Sequence, residues 1–448
     1  MRSTKWLSIV ALCAFVTACG DSASNGSDSA SKDTSTPKPT EATTPAADIK
    51  KITDTPTDLY IAYPGAGENV DLFMTRFGEQ IKKKFPNYNL KYVPRLAAEG
   101  TNYYASALGS GTPIDIMISS LGTTTTYLTN LKLESDISDL IKKYNYDLTR
   151  LEPSLIDAQR ALANGGIYGL PWTVGSFIFV YNKDLFDKFG VPYPKEGRTW
   201  DETYDLAKRL TRSDGGQLYQ GFSIQIESAM GTNQLSAPYF DPKTHKSKFL
   251  EDSFLRAFEN MARFYKIPGN ETPASGVVNG FQKDKTIAMF MGTSGQVKPT
   301  AELIPNWDAA SVPEFPDKKG VGFQSAPEYF YITKAAKSRD AAFQVLSFIA
   351  SEEYQEWMGR TTAILPVMKD PSKIMQTYGA ELPNFKGKNV AALLPKTYAP
   401  LAVTPYLTIG NSEMTTVLKD YLGGRDLVSS LREAAERADK RVAAEQNK

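Results

Sequence analysis

The sequence predicts an α/β protein of two lobes, each a mostly parallel sheet flanked by helices, set behind a secretory leader. Three observations predict it. The chain has 448 residues, past the ~250–300 at which one hydrophobic core stops growing. Short apolar runs alternate with stretches of helical period, the order that builds a sheet covered by helices. That alternation occurs on both sides of the middle of the chain, so two sheets are expected. A composition of 41% hydrophobic and 23% charged residues is that of a globular chain.

The leader comes first. Arg2 and Lys5 precede an apolar run over residues 6–16 that is too short to span a bilayer. It ends in Val16-Thr17-Ala18-Cys19, the pattern of a lipobox, in which small residues fit a peptidase groove and the thiol accepts a diacylglycerol. A plain secretory signal that happens to contain Cys19 is the alternative. Cleavage after residue 18 would leave Cys19 as the only cysteine, since Cys13 leaves with the leader, so no intramolecular disulfide could form. Two acyl chains anchor stably, each buried CH₂ contributing ~0.8 kcal/mol. Residues 19–55 are rich in Ser, Thr, Ala, Asp and Pro and poor in apolar side chains, which predicts a flexible tether.

Beyond the tether, residues 59–63 read as a buried strand, followed by the turn Pro64-Gly65-Ala66-Gly67. Val70, Phe73, Met74, Phe77 and Ile81 fall at helical spacing, with Lys82, Lys83 and Lys84 where the helix dipole favours cations. Residues 90–93 form a second strand, residues 103–108 a helix and residues 114–118 a third strand. The second set opens with the apolar strand 177–181. Thr199 with Glu202 three residues on is a capping box, followed by Thr203, Leu206, Ala207 and Leu210 on one face. Strands over 286–290 and 329–332 and a helix capped by Ser338 complete the pattern.

Several chemistries are disfavoured. Lys and Arg total 51 against 50 acidic residues, a net charge of +1 that leaves no electrostatic footprint for nucleic acid. His245 is the only histidine, in a polar turn, so neither a zinc cluster nor a Ser-His-Asp triad is expected. No catalytic residue, metal or cofactor is predicted. A two-carboxylate hydrolase stays open, because 50 acidic residues always offer pairs.

An ordered series of motifs then resembles the extracellular solute-binding protein family 1, the carbohydrate-type receptors of ABC transporters. Ala107-Leu108-Gly109-Ser110-Gly111 precedes Pro113-Ile114-Asp115-Ile116. Gly165-Gly166-Ile167-Tyr168-Gly169-Leu170-Pro171 leads to Val180-Tyr181-Asn182-Lys183-Asp184-Leu185-Phe186. Thr199-Trp200-Asp201-Glu202, Lys285-Thr286-Ile287-Ala288-Met289 and Ala335-Ala336-Lys337 follow in order. The resemblance implies a periplasmic-binding-protein-like fold whose lobes are joined by a multi-segment hinge. It implies a leader over 1–18, a first lobe of residues 56–173 with 292–326, and a second of 174–291 with 327–448. It further implies a monomer that captures a sugar or oligosaccharide and hands it to an ABC permease, held on the outer face of the cell membrane through Cys19. A surface glycan hydrolase, or a signalling or adhesion lipoprotein on the same fold, are the alternatives. The loop Phe290-Met291-Gly292-Thr293-Ser294-Gly295-Gln296 lacks the tryptophan that family members often carry there.

A sugar site needs flat apolar faces and planar polar groups. Trp172 follows the Gly-Leu-Pro strand end at the expected first crossing. Tyr63 and Glu68 flank the first strand-to-helix loop, and Ser119 and Ser120 end the third strand, positions where ligands of α/β sheets bind. The resemblance places Thr293, Ser294, Gln324 and Tyr329 near the later crossings. These nine residues are the predicted ligand contacts. Trp200, Asp115 and Asn182 read as structural.

Overall fold

The computed structural model describes residues 45–271, 275–402 and 404–446. Residues 1–44, which include the expected leader and Cys19, lie outside the described residues. The strands, in chain order, are β1 (Thr57–Ala62), β2 (Tyr88–Val93), β3 (Ile116–Ser120), β4 (Gly169–Thr173), β5 (Phe177–Asn182), β6 (Arg212–Asp214), β7 (Gln217–Ile224), β8 (Ile287–Thr293), β9 (Trp307–Ala310), β10 (Val321–Gln324), β11 (Glu328–Ile332) and β12 (Thr397–Ala399). They build one five-stranded sheet in the order β2-β1-β3-β11-β4, a second in the order β6-β7-β8-β5-β9, and a β10-β12 ribbon.

In the first sheet β1 is parallel to β2 and β3, while β11 runs against both β3 and β4. In the second, β7 and β8 are parallel, and β5 runs against β8 and β9. The reversed strands β5 and β11 share a cause. β4 ends at Thr173 and β5 begins at Phe177 in the other sheet, with Val174, Gly175 and Ser176 between them. So short a link cannot carry the chain round to the far edge, as a parallel crossover would. The arriving strand therefore starts at the edge facing the first sheet and points away from it. β11 returns by the same route after Ser325, Ala326 and Pro327.

Burial follows the pattern of sheets covered on both faces. β4 and β5 are buried along their whole length, as expected for strands with helices above and below. Along β11 the period of two sends Phe330 and Ile332 into one core with Ile61 and Ile118, and Tyr329 and Tyr331 into another with Ala62 and Met117. The second sheet is packed around Phe179, Phe222, Phe258 and Met289. The capping box forms as read: Thr199 and Glu202 exchange bonds, and Trp200 is buried with its indole N–H donating to Gln234 at 2.9 Å. Asn182 caps the helix Lys183–Phe189. Asp115 accepts from the amides of Tyr60 and Lys337 at 2.8 and 2.7 Å, tying the first sheet to the start of the helix Arg339–Ile349.

Three expectations need correction. Residues 292–326 do not join the first lobe, because β9 lies in the second sheet beside β5. Residues from 327 do not all belong to the second lobe, because β11 is the fourth strand of the first sheet and the helix Arg339–Ile349 packs on it. The chain stays in the second lobe through β8 and β9 and crosses at 325–327. It touches the second lobe again where Asn389 bonds Asp308 and β12 pairs with β10, and returns to its core with the helices Leu407–Leu422 and Leu427–Gln446. The tether expected over 19–55 also ends earlier: Pro45–Asp54 is helical, with Ile52 packed against the first core.

Candidate ligand-binding cleft

The crossings sit side by side. The amide of Ala326 donates to the carbonyls of Val174 and Gly175 at 3.0 and 3.1 Å, and the amide of Leu121 to Pro327 at 2.8 Å. Ser294, at the end of β8, donates its amide to Ser176 at 2.7 Å. A third segment passes close by, where Leu365 accepts from the Thr173 hydroxyl at 3.4 Å. Against these crossings lies a cavity of 450 Å³ lined from both lobes, a volume in the range of small-molecule sites. The first lobe and the crossings supply Arg76, Ser120, Trp172, Thr173, Ser176 and Glu328. The second lobe supplies Phe177, Ser228, Thr232, Thr293, Ser294, Leu407 and Asn411.

Local irregularities aim the key side chains. Arg76 lies in a π-helical turn, Met74–Gly78, that interrupts the helix begun at Val70; such turns recur at functional positions. Its guanidinium donates to the Tyr63 hydroxyl at 2.6 Å and lies 5.7 Å from the centre of the Trp172 ring. Between β4 and β11, Glu328 pairs with Thr173 but Tyr329 pairs with Pro171, so Trp172 is the extra residue of a bulge. Simple alternation would send Trp172 and Thr173 to opposite faces, yet both line the cavity. Glu328, first residue of β11, sits between Ser120 and Thr173 at the cleft edge.

The electrostatics are those of a shared chamber without an internal ion pair. Among the described residues, Arg76 and Glu328 do not approach within salt-bridge distance. Burial pushes the Glu328 carboxyl above its ordinary range, and Arg76 offsets only part of that. The Trp172 indole N–H lies near Glu328 but closes no hydrogen bond and is left without a partner. Tyr63 is pushed up by burial first and by Glu328 second, with Arg76 opposing both.

Of the nine residues predicted from sequence, Trp172, Ser120, Thr293 and Ser294 line this cavity. Trp172 does so by an edge only: it is 2% exposed and packs edge-on against Phe77 at 4.9 Å. Gln324 lines a smaller neighbouring cavity, its amide satisfied by the backbone of Asn233 and Ala402. Tyr63 stands behind Arg76. Ser119 turns away and bonds Thr123 at 2.8 Å. Tyr329 is fully buried and donates to Leu155 at 2.7 Å. Glu68 ties the loop after β1 to the segment after β2 by accepting from the Ala97 amide at 2.8 Å. Arg76, Glu328, Phe177, Thr232, Leu407 and Asn411 were not predicted. One signal was available for Glu328: it is the lone charge at the head of the apolar run Tyr329-Phe330-Tyr331-Ile332.

Residues 66–356 match the sequence profile of the bacterial extracellular solute-binding proteins. The chain belongs to that family. This solute-binding protein is 26% identical over 318 residues to a putative binding protein of Brucella abortus, covering 65% of this chain and 70% of that one. Its structure is similar to an ABC substrate-binding protein of Listeria monocytogenes in complex with cycloalternan, with a TM-score of 0.68 at 17% identity over 87% of this chain and 100% of the other. It is also similar to a Mycobacterium tuberculosis protein in complex with glycerophosphocholine, with a TM-score of 0.65 at 16% identity over 88% and 100%. These likenesses show the two-lobed, periplasmic-binding-protein-like fold. Among the described residues no helix is long and apolar enough to cross a membrane.

Proposed function

We propose that this solute-binding protein captures an uncharged sugar or short oligosaccharide between its lobes and delivers it, unaltered, to the permease of an ABC importer. One observation carries the reading. Arg76 and Glu328 face one cavity without forming an ion pair with each other, beside the Trp172 edge and several hydroxyls. A carboxylate accepts from sugar hydroxyls and a guanidinium donates to them, so vicinal hydroxyls complete what the protein leaves open. Among the described residues, the cavity wall carries one cation, Arg76, and one carboxylate, Glu328, and their charges cancel. A dianionic phosphate ester would meet Glu328 with no surplus cation to compensate.

A glycerophosphodiester zwitterion, of the kind bound by the mycobacterial protein, satisfies the same charge balance and is the second reading. Calorimetric titration of the domain from residue 45 onward with neutral oligosaccharides, glycerophosphocholine and sn-glycerol-3-phosphate separates the readings. The sugar reading requires binding in the first group, and a ligand at 100 times its Kd adds about 2.7 kcal/mol to stability. Binding by sn-glycerol-3-phosphate alone would overturn it. A product released on incubation with polysaccharide would favour the hydrolase.

The anchor belongs to the same proposal. Cys19, acylated after leader removal, would hold the protein at the outer face of the cell membrane, with the segment up to Pro45 as a spacer. Cys19→Ser is expected to move the protein from the membrane fraction to the medium. Retention in the membrane would remove the anchor.

A further inference from the structure

The 450 Å³ cavity does not end at the second lobe. A second cavity of 130 Å³ adjoins it, and Ser120, Thr232, Ala326 and Leu407 line both. Leu407 stands between the two chambers at the first position of the helix Leu407–Leu422. Its two methyl groups reach into the space that two glycines leave free. A Cβ on Gly122, in the turn after β3, would lie 2.9 Å from Leu407 Cδ2. A Cβ on Gly231, at the end of the helix Ile226–Gly231 of the other lobe, would lie 2.8 Å from Cδ1. Leu407 therefore wedges between one glycine of each lobe, a seat that any larger residue at either position would close. The side chain is only partly buried, so core packing alone does not account for it. The rim it shares carries the hydroxyls of Ser120 and Thr232, one from each lobe, and Gln324 lines the far side.

We propose that Leu407 divides the cleft into two subsites and so sets the length of ligand the protein accepts. This rests on the sugar reading above. With leucine in place, the ligand is confined to the larger chamber over Trp172. Removing the isopropyl group joins the chambers, and the chain of a longer ligand can pass between Gly122 and Gly231 to the hydroxyls beyond.

The test is calorimetric titration of the wild type, Leu407→Ala and Leu407→Phe with malto- and cello-oligosaccharides from one to four units. For Leu407→Ala, the preferred length is expected to grow by one unit, with roughly tenfold or greater gain for the longer homologue, the scale on which one pocket contact discriminates ligands. Leu407→Phe is expected to lose the longest ligand that the wild type binds. Should Leu407→Ala fail to fold, Leu407→Val carries the test with a smaller shift in the same direction. A wild type that binds a member of the series, with variants that keep its length profile, overturns the divider alone. A wild type silent to the whole series overturns the sugar reading, and the divider falls with it.

Discussion

Gly175 and Ala326 press two crossings of the chain together backbone to backbone. Ala326 donates its amide to Gly175 at 3.1 Å, while Gly175 adopts φ +51° with its α-carbon against the Ala326 carbonyl. A side chain at 175 would overlap that carbonyl oxygen and would have to accept a left-handed backbone. The lobes are thus joined where the main chains can touch, and the floor of the cleft is backbone.

Gly175→Ala tests how much that joint matters. The left-handed conformation costs an alanine about 1–2 kcal/mol, and displacing Ala326 adds overpacking on the order of 1–3 kcal/mol. Denaturant unfolding is expected to show a loss of at least about 1 kcal/mol. An unchanged midpoint would mean that the crossings separate at no cost.

Glu328→Gln should separate binding from stability. Because burial raises the folded-state pKa of Glu328, the native protein holds this proton more tightly than the unfolded chain does. Stability then falls as pH rises from the ordinary glutamate value through the raised one, and the deficit persists at neutral pH. Gln removes it, so the variant should unfold later than the wild type at pH 7. Its ligand should bind more weakly, by about 1.5–3 kcal/mol for a lost bond to a charged group. Wild-type affinity should decline on acidification through the raised pKa, and the variant's should not. Equal pH profiles would take the carboxylate out of recognition.

Trp172 needs a gentler probe than alanine. Its ring packs on Phe77 and is nearly inaccessible, so truncation would cost about 3–5 kcal/mol of fold and obscure any effect on ligand. Trp172→Phe keeps most of the packing and removes the unpartnered indole N–H. Affinity is expected to fall by about 1 kcal/mol, the net worth of one neutral hydrogen bond, with a smaller change in the unfolding midpoint. Affinity that stays constant would make Trp172 a wall and not a contact.

These residues also show what the sequence could reveal. Elements specified by neighbours were legible: the capping box of Thr199 and Glu202 spans three residues, and the apolar runs of β1, β5, β8 and β11 carry their burial in their own side chains. The cleft was legible only where it coincides with a recognisable strand end, as at Ser120 and Trp172. Glu328 reaches it because β11 arrives from the other lobe and settles between Ser120 and Thr173, residues far away in the chain. Arg76, mid-helix, reads as a solvent-facing charge until a π-turn and the Tyr63 hydroxyl direct it inward. The lobe boundaries were misplaced for a related reason. β9, reading Trp307-Asp308-Ala309-Ala310, has too little β character to announce that the chain is still in the second sheet.

Tyr63 was singled out as a ligand contact, and its place behind Arg76 leads to a different expectation. Its hydroxyl accepts from the guanidinium at 2.6 Å, and its ring packs edge-on to Phe77 at 5.4 Å. Tyr63 therefore holds Arg76 in one orientation above Trp172 without lining the cavity. Tyr63→Phe keeps the ring and removes the acceptor, freeing the guanidinium to swing among rotamers. Ordering a long charged side chain on binding costs about 0.5–1.5 kcal/mol, and affinity should fall by that amount while the stoichiometry stays the same. Arg76→Lys should lose more, because an ammonium cannot present two parallel donors to vicinal hydroxyls. In the double variant, Tyr63→Phe should add nothing to the loss from Arg76→Lys if its whole effect passes through the guanidinium. Additive losses would show that Tyr63 meets the ligand directly, and the sequence-based assignment would then stand.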